Sequence, residues 1–103
     1  WRRTSPYWVI AIVLGLAACG TTVPRVDADW AARAGLPQAQ LEEGRRLYIA
    51  SCTGCHPLYP AATHNLAGWT ATMRIMGTKA RLEAPARAAI VTYLGAAAQH
   101  APR

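Results

Sequence analysis

The sequence predicts an all-α domain, a small bundle of about three helices. Two observations carry this: apolar residues recur at helical spacing in separate stretches between residues 38 and 97, and no stretch shows the alternation that a half-buried strand needs. At 103 residues there is room for one domain, and too little chain for a large core of its own.

The chain opens with a different kind of segment. Arg2 and Arg3 precede the apolar run Tyr7 to Ala18, and small residues close it, which is the pattern of an export signal over residues 1–18. The run is shorter than the ~20 residues that a membrane-spanning helix needs. Leu16-Ala17-Ala18-Cys19 resembles the bacterial lipobox, and that resemblance implies an acylated Cys19 holding the domain to a membrane, since each buried CH₂ contributes ~0.8 kcal/mol. Residues 19–37 are then a tether and N-terminal extension. Thr21 to Arg25 is polar and interrupted by Pro24, and Val26 to Pro37 is expected to be irregular or one helical turn, ended by Gly35 and Pro37.

From Gln38 to Ser51 the positions of Leu41, Gly44, Leu47 and Tyr48 predict an amphipathic helix, with acidic Glu42 and Glu43 ahead of basic Arg45 and Arg46 as the helix dipole prefers. A glycine inside a helix costs ~1 kcal/mol relative to alanine, so Gly44 implies close approach of another element. Pro57 and Pro60 make Pro57 to Ala62 an extended loop. Asn65 is a natural N-cap for a second helix to about Met76, stopped by Gly77, with Leu66, Trp69, Met73 and Met76 along one stripe. A third helix runs from about Pro85 to Ala97, with Ile90, Tyr93, Leu94 and Ala97 inward, and residues 99–103 are a frayed tail. The domain proper is therefore 38–98.

Between the first two helices stands Cys52-Thr53-Gly54-Cys55-His56. The order C-x-x-C-H is the attachment sequence for a c-type haem: each thiol bonds one vinyl group of a single porphyrin, and the following imidazole reaches the iron. A thioredoxin-like pair needs a strand leading into the motif, and a zinc site needs four ligands, which adjacent Cys55 and His56 supply poorly. A plain disulfide across two residues makes a strained loop. His56 is expected to bind through Nε2, its other nitrogen donating to a carbonyl of Pro60 or a neighbour.

With the helix carrying Gly44 and Tyr48 before the motif and Ile90-Val91-Thr92-Tyr93-Leu94 at the end, residues 38–94 resemble the small class I-like c-type cytochromes of bacteria. The resemblance implies a cytochrome c-like bundle around one covalently attached haem, with the first and last helices crossing at Gly44. It also favours Met76, seven positions after Trp69, as the second axial ligand, although twenty positions from His56 is shorter than typical class I spacing. Met73 on the same face and His64 remain alternatives, and His100 lies in the tail. A thioether ligand favours ferrous iron and raises its potential.

With both axial positions filled there is no room for substrate, so the expected role is an electron carrier and not an enzyme. It would work on the periplasmic side of a bacterial membrane between redox protein partners, alone or as the haem subunit of a larger oxidoreductase. If the sixth position is open, the alternative is a haem protein that binds small ligands. From Cys19 onward nine Lys and Arg face five Asp and Glu. The cations are scattered without interleaved aromatics, which excludes nucleic acid as a partner. Arg45, Arg46, Lys79, Arg81 and Arg87 are available either as solvated helix faces or to steer a partner.

Overall fold

In the computed structural model, which describes residues 23–102, the regular elements are helical: α1 (Ala28–Ala34), α2 (Gln38–Cys52), a 3-10 turn (Ala61–Thr63), α3 (Leu66–Lys79) and α4 (Ala84–His100). The expected all-α class is observed, with one helix more than expected. The export signal read over residues 1–18 and the lipidation site Cys19 lie outside the described residues. Among the described residues no helix is long and apolar enough to cross a membrane.

The additional helix is α1, in the stretch expected to be irregular or a single turn. Asp27 caps it, its carboxylate accepting from the Trp30 N–H at 2.9 Å, and Gly35 ends it at φ 70° with its N–H turned back to the carbonyls of Ala31 and Ala32. Seven residues are too few to be stable alone. Packing supplies the rest: Trp30 is fully buried, its indole N–H donates to the Arg25 carbonyl at 2.8 Å, and its ring lies 6.4 Å from that of Tyr93. Tyr93 also donates to the Pro24 carbonyl at 2.6 Å, and the Arg45 guanidinium approaches that of Val23 at 3.4 Å. From Val23 onward the chain is therefore strapped to the bundle and is not a free tether.

The expected face of α2 is observed, with Leu41, Gly44 and Tyr48 buried. Gly44 lies against α4: a Cβ there would collide with the Ala89 carbonyl oxygen and come within 2.6 Å of Tyr93 Cβ. α3 begins at its Asn65 cap, which accepts from the Gly68 N–H at 2.9 Å, but it runs past Gly77, where it was expected to stop. Gly77 serves close packing instead, since a Cβ there would touch the Arg87 side chain at 3.0 Å. The terminator is Arg81, at φ 56°, whose N–H bonds the Thr78 carbonyl while Leu82 N–H bonds that of Gly77, the pair of bonds usually closed by a glycine.

Pro85 lies in the first turn of α4, and Ile90, Tyr93, Leu94 and Ala97 are buried as expected. The tail does not fray at Gln99. Arg33 donates to the His100 carbonyl at 2.9 Å and so holds the end of α4 to α1. Trp30, Leu41, Tyr48, Trp69, Met73, Ile90, Tyr93 and Leu94 share one core. Leu66, expected on the buried stripe of α3, is 57% exposed because it is the first residue of the helix and overhangs the core edge beside Gly95.

Gly44→Ala is expected to destabilise the fold by about 2 kcal/mol, the overpacking penalty exceeding the ~1 kcal/mol of helical preference that alanine adds. Urea unfolding of the variant checks this; a stabilised Gly44→Ala would contradict the close crossing.

Candidate functional site

The C-x-x-C-H motif leaves the C-terminal end of α2. Cys52 is the last helical residue, half-buried and packed with Leu58 against the core, while Cys55 is exposed; both are free thiols. Thr53 continues the helix end by donating its hydroxyl to the Ile49 carbonyl at 3.0 Å, and nothing lies within 4 Å of a Cβ at Gly54. The turn between the thiols is thus open on its outer side.

His56 is half-buried, with Nδ1 2.7 Å from the Pro57 carbonyl oxygen. A carbonyl can only accept, so Nδ1 is the donor, and in the neutral ring the lone pair is on Nε2. The expected orienting carbonyl is thus found in the loop, at Pro57 and not Pro60. The Tyr59 ring sits 5.1 Å from the imidazole.

Two core helices pin the loop after His56. Tyr48 of α2 donates its phenol to the Tyr59 carbonyl at 2.8 Å, and the Trp69 indole of α3 donates to the Ala61 carbonyl at 2.9 Å. Their rings meet edge to face at 6.1 Å. These clamps were not apparent in the sequence, where Tyr48 and Trp69 read only as apolar stripe residues; the signal was that both carry a polar atom that needs a partner once buried. Burial, and then the neighbouring Cys52, push the Tyr48 phenol up to about 12.

The Cys52 thiol is also pushed up, mainly by burial and then by Cys55. Disulfide exchange chemistry relies on a depressed thiol pKa, so this environment disfavours the thioredoxin-like alternative. Among the described residues no group of three or more His, Cys, Asp or Glu side chains could together hold a metal ion. The donor set does fit a c-type haem: two unpaired thiols on an open turn, one of them exposed, beside an imidazole with Nε2 free.

The candidate distal ligands separate by burial. Met73 is 5% exposed and belongs to the core, whereas Met76, one turn on, keeps part of its side chain accessible. His64 is held in another role, its ring edge-on to Trp69 at 4.9 Å and its Cβ close over Gly68. The backbone of His100 takes part in the α4 end contact with Arg33. Comparison of the chain with protein-family models, with curated proteins and with solved structures found no match.

The phenols of Tyr48 and Tyr93 are both raised from 10 to about 12, chiefly by burial. A phenol whose folded pKa exceeds its unfolded one stabilises the fold fully below the unfolded value. Stability to urea is therefore expected to hold up to about pH 10 and to fall between 10 and about 12. Tyr48→Phe should flatten part of that decline, and a slope unchanged in both Tyr48→Phe and Tyr93→Phe would refute the assignment.

Proposed function

We propose that this chain is a mono-haem c-type cytochrome that carries single electrons between redox partners, tethered through lipid on Cys19 at the periplasmic side of a bacterial membrane. The observation that carries the reading is the combination at the end of α2: thiols at Cys52 and Cys55, then His56 with Nδ1 already engaged by the Pro57 carbonyl. Bound through these residues, a c-type haem supplies the one-electron Fe(II)/Fe(III) couple.

In this reading Cys52 and Cys55 would hold a haem covalently, and His56 would offer Nε2 to its iron. The Tyr48 and Trp69 clamps fix the loop that orients the imidazole. Met76 would supply the second protein ligand to the iron, supported by its accessibility against the burial of Met73. The resemblance of residues 38–94 to class I-like cytochromes and of residues 16–19 to a lipobox supplies the rest of the reading.

Acid–acetone extraction is expected to leave the haem on the protein, and Met76→Ala to abolish the Met-to-iron absorption band, lower the potential and admit CO. Met73→Ala should instead lower stability by about 2–4 kcal/mol with the band retained. Rapid CO binding by the wild-type protein, without a low-spin Met signal, would replace the carrier by a haem protein with an open sixth position.

Intact mass spectrometry of protein from a host that processes lipoproteins should find a mature terminus at Cys19 with added acyl mass. An unmodified Cys19 in that host would remove the lipid anchor from the reading and leave the haem chemistry standing.

A further inference from the structure

Two stretches of the chain, residues 51–73 and 88–102, carry no Asp, Glu, Lys or Arg. The fold brings parts of them together, because the 3-10 turn Ala61–Thr63 packs on α4. Two hollows adjoin there. Pro60, Ala97 and Ala101 line the first, His64, Leu66 and Gln99 the second, and Ala62 and Ala98 border both. The loop after His56 and the C-terminal half of α4 thus share one continuous surface that, histidines apart, holds no acidic or basic side chain.

On this surface stand two of the large side chains that the fold leaves exposed, Tyr59 at 52% and Leu66 at 57%. The loop is pinned at Tyr59 through its backbone carbonyl, which accepts from Tyr48, so the outward phenol is not what holds it. Leu66 is the first residue of α3, a place where an acidic side chain suits the helix dipole and a leucine contributes nothing to it. Exposed aromatic and apolar side chains set among small uncharged residues mark contact with a protein or a membrane.

The entry of the chain decides between them. Pro24 lines the first hollow and is held there by the Tyr93 hydroxyl at 2.6 Å. From Cys19 to Pro24 is five residues, a reach of about 18 Å at most, so a lipid on Cys19 keeps this surface beside the bilayer. The α3–α4 turn lies at the other end of α4, with Ala84 about 20 Å from Ala97 along the helix. Arg25, next to Pro24, and Arg33, on the His100 carbonyl, stand at the margin, where long cationic side chains extend to lipid phosphates. Tyrosine and leucine suit the boundary between headgroups and acyl chains. Resting on the lipid anchor proposed above, we infer that this uncharged face, with Tyr59, Pro60, Ala62, Leu66 and Ala98, lies on the surface of the bilayer that holds Cys19 and so fixes the orientation of the domain.

Hydroxyl-radical footprinting read by mass spectrometry tests this on the lipidated holoprotein in phosphatidylcholine vesicles. Tyr59 and Leu66 should be oxidised about threefold or more slowly than in the lipid-free Cys19→Ser holoprotein. Ile75, 59% exposed on α3, should be oxidised equally in both. The protection should persist at ~1 M salt, since it does not depend on charge. Leu66→Glu should restore most of the Tyr59 oxidation while the protein still sediments with the vesicles and unfolds at an unchanged urea concentration. Tyr59 and Leu66 oxidised at the lipid-free rate in vesicle-bound protein, or Ile75 protected as strongly as they are, would overturn the membrane face. Protection of Tyr59 and Leu66 in the Cys19→Ser holoprotein without lipid, growing with protein concentration, would assign the face to a second copy and overturn it too. The same Cys19→Ser chain, with a histidine tag in place of residues 1–18 and bound to vesicles through a nickel-chelating lipid, separates the face from the anchor. Protection there, with no acyl mass on the wild-type protein, would keep the face and remove the lipid on Cys19; no protection there would overturn the face whatever Cys19 carries.

Discussion

The close crossing of α2 and α4 at Gly44 is the contact on which the rest of the molecule depends. With no side chain at Gly44, the Ala89 carbonyl and Tyr93 Cβ of α4 come down onto the α2 backbone. Gly44, Tyr48 and Cys52 follow at intervals of four, so the crossing, the loop clamp and the first thiol share one face of α2. On α4, the crossing places Tyr93 where its ring meets Trp30 and its hydroxyl reaches Pro24. One missing methyl group thus sets both the position of the motif and the docking of the N-terminal strap.

The site itself is a loop with little backbone hydrogen bonding of its own before the turn that Thr63 N–H closes on the Pro60 carbonyl. Pro57 and Pro60 have no N–H to donate, yet every carbonyl in the stretch still needs a partner when buried. Side chains supply them: His56 to Pro57, Tyr48 to Tyr59 and Trp69 to Ala61. The aromatic donors are anchored in the core, so the loop inherits the rigidity of α2 and α3. That rigidity holds the Pro57 carbonyl in place as the acceptor for Nδ1 of the imidazole.

Long periodic stretches were legible before the fold was known. The buried faces of α2 and α4 coincide with Leu41, Gly44 and Tyr48 and with Ile90, Tyr93, Leu94 and Ala97. α1 was not legible because seven residues hold too few repeats to establish a period; its evidence is tertiary, in Trp30 and Tyr93. Gly77 misled as a helix stop because glycine serves close packing as readily as it serves a left-handed turn, and here Arg81 took the second task. At the site, Cys52, Cys55 and His56 are contiguous and could be read directly. Met73 and Met76 share one stripe about 60° apart, and only burial tells them apart. The Pro57 carbonyl is a backbone atom, which no side-chain pattern reveals.

Charge order along the chain becomes an uneven distribution in space, balanced on α2 and in excess of cations around the α3–α4 turn. On α2 the acids Glu42 and Glu43 stand one turn from Arg45 and Arg46, close enough for Arg46 to pair with Glu43. The cations there are neutralised by their neighbours on the helix. Around the α3–α4 turn Glu83 is the sole acid, and its neighbours Arg81 and Arg87 outnumber it. Arg87 is partly committed to the fold through the Leu82 carbonyl at 2.7 Å, which leaves Arg74, Lys79 and Arg81 as the freer cations. Since the N-terminal strap lies beside the opposite end of α4, the excess of cations and the entry of the chain stand at different ends of that helix.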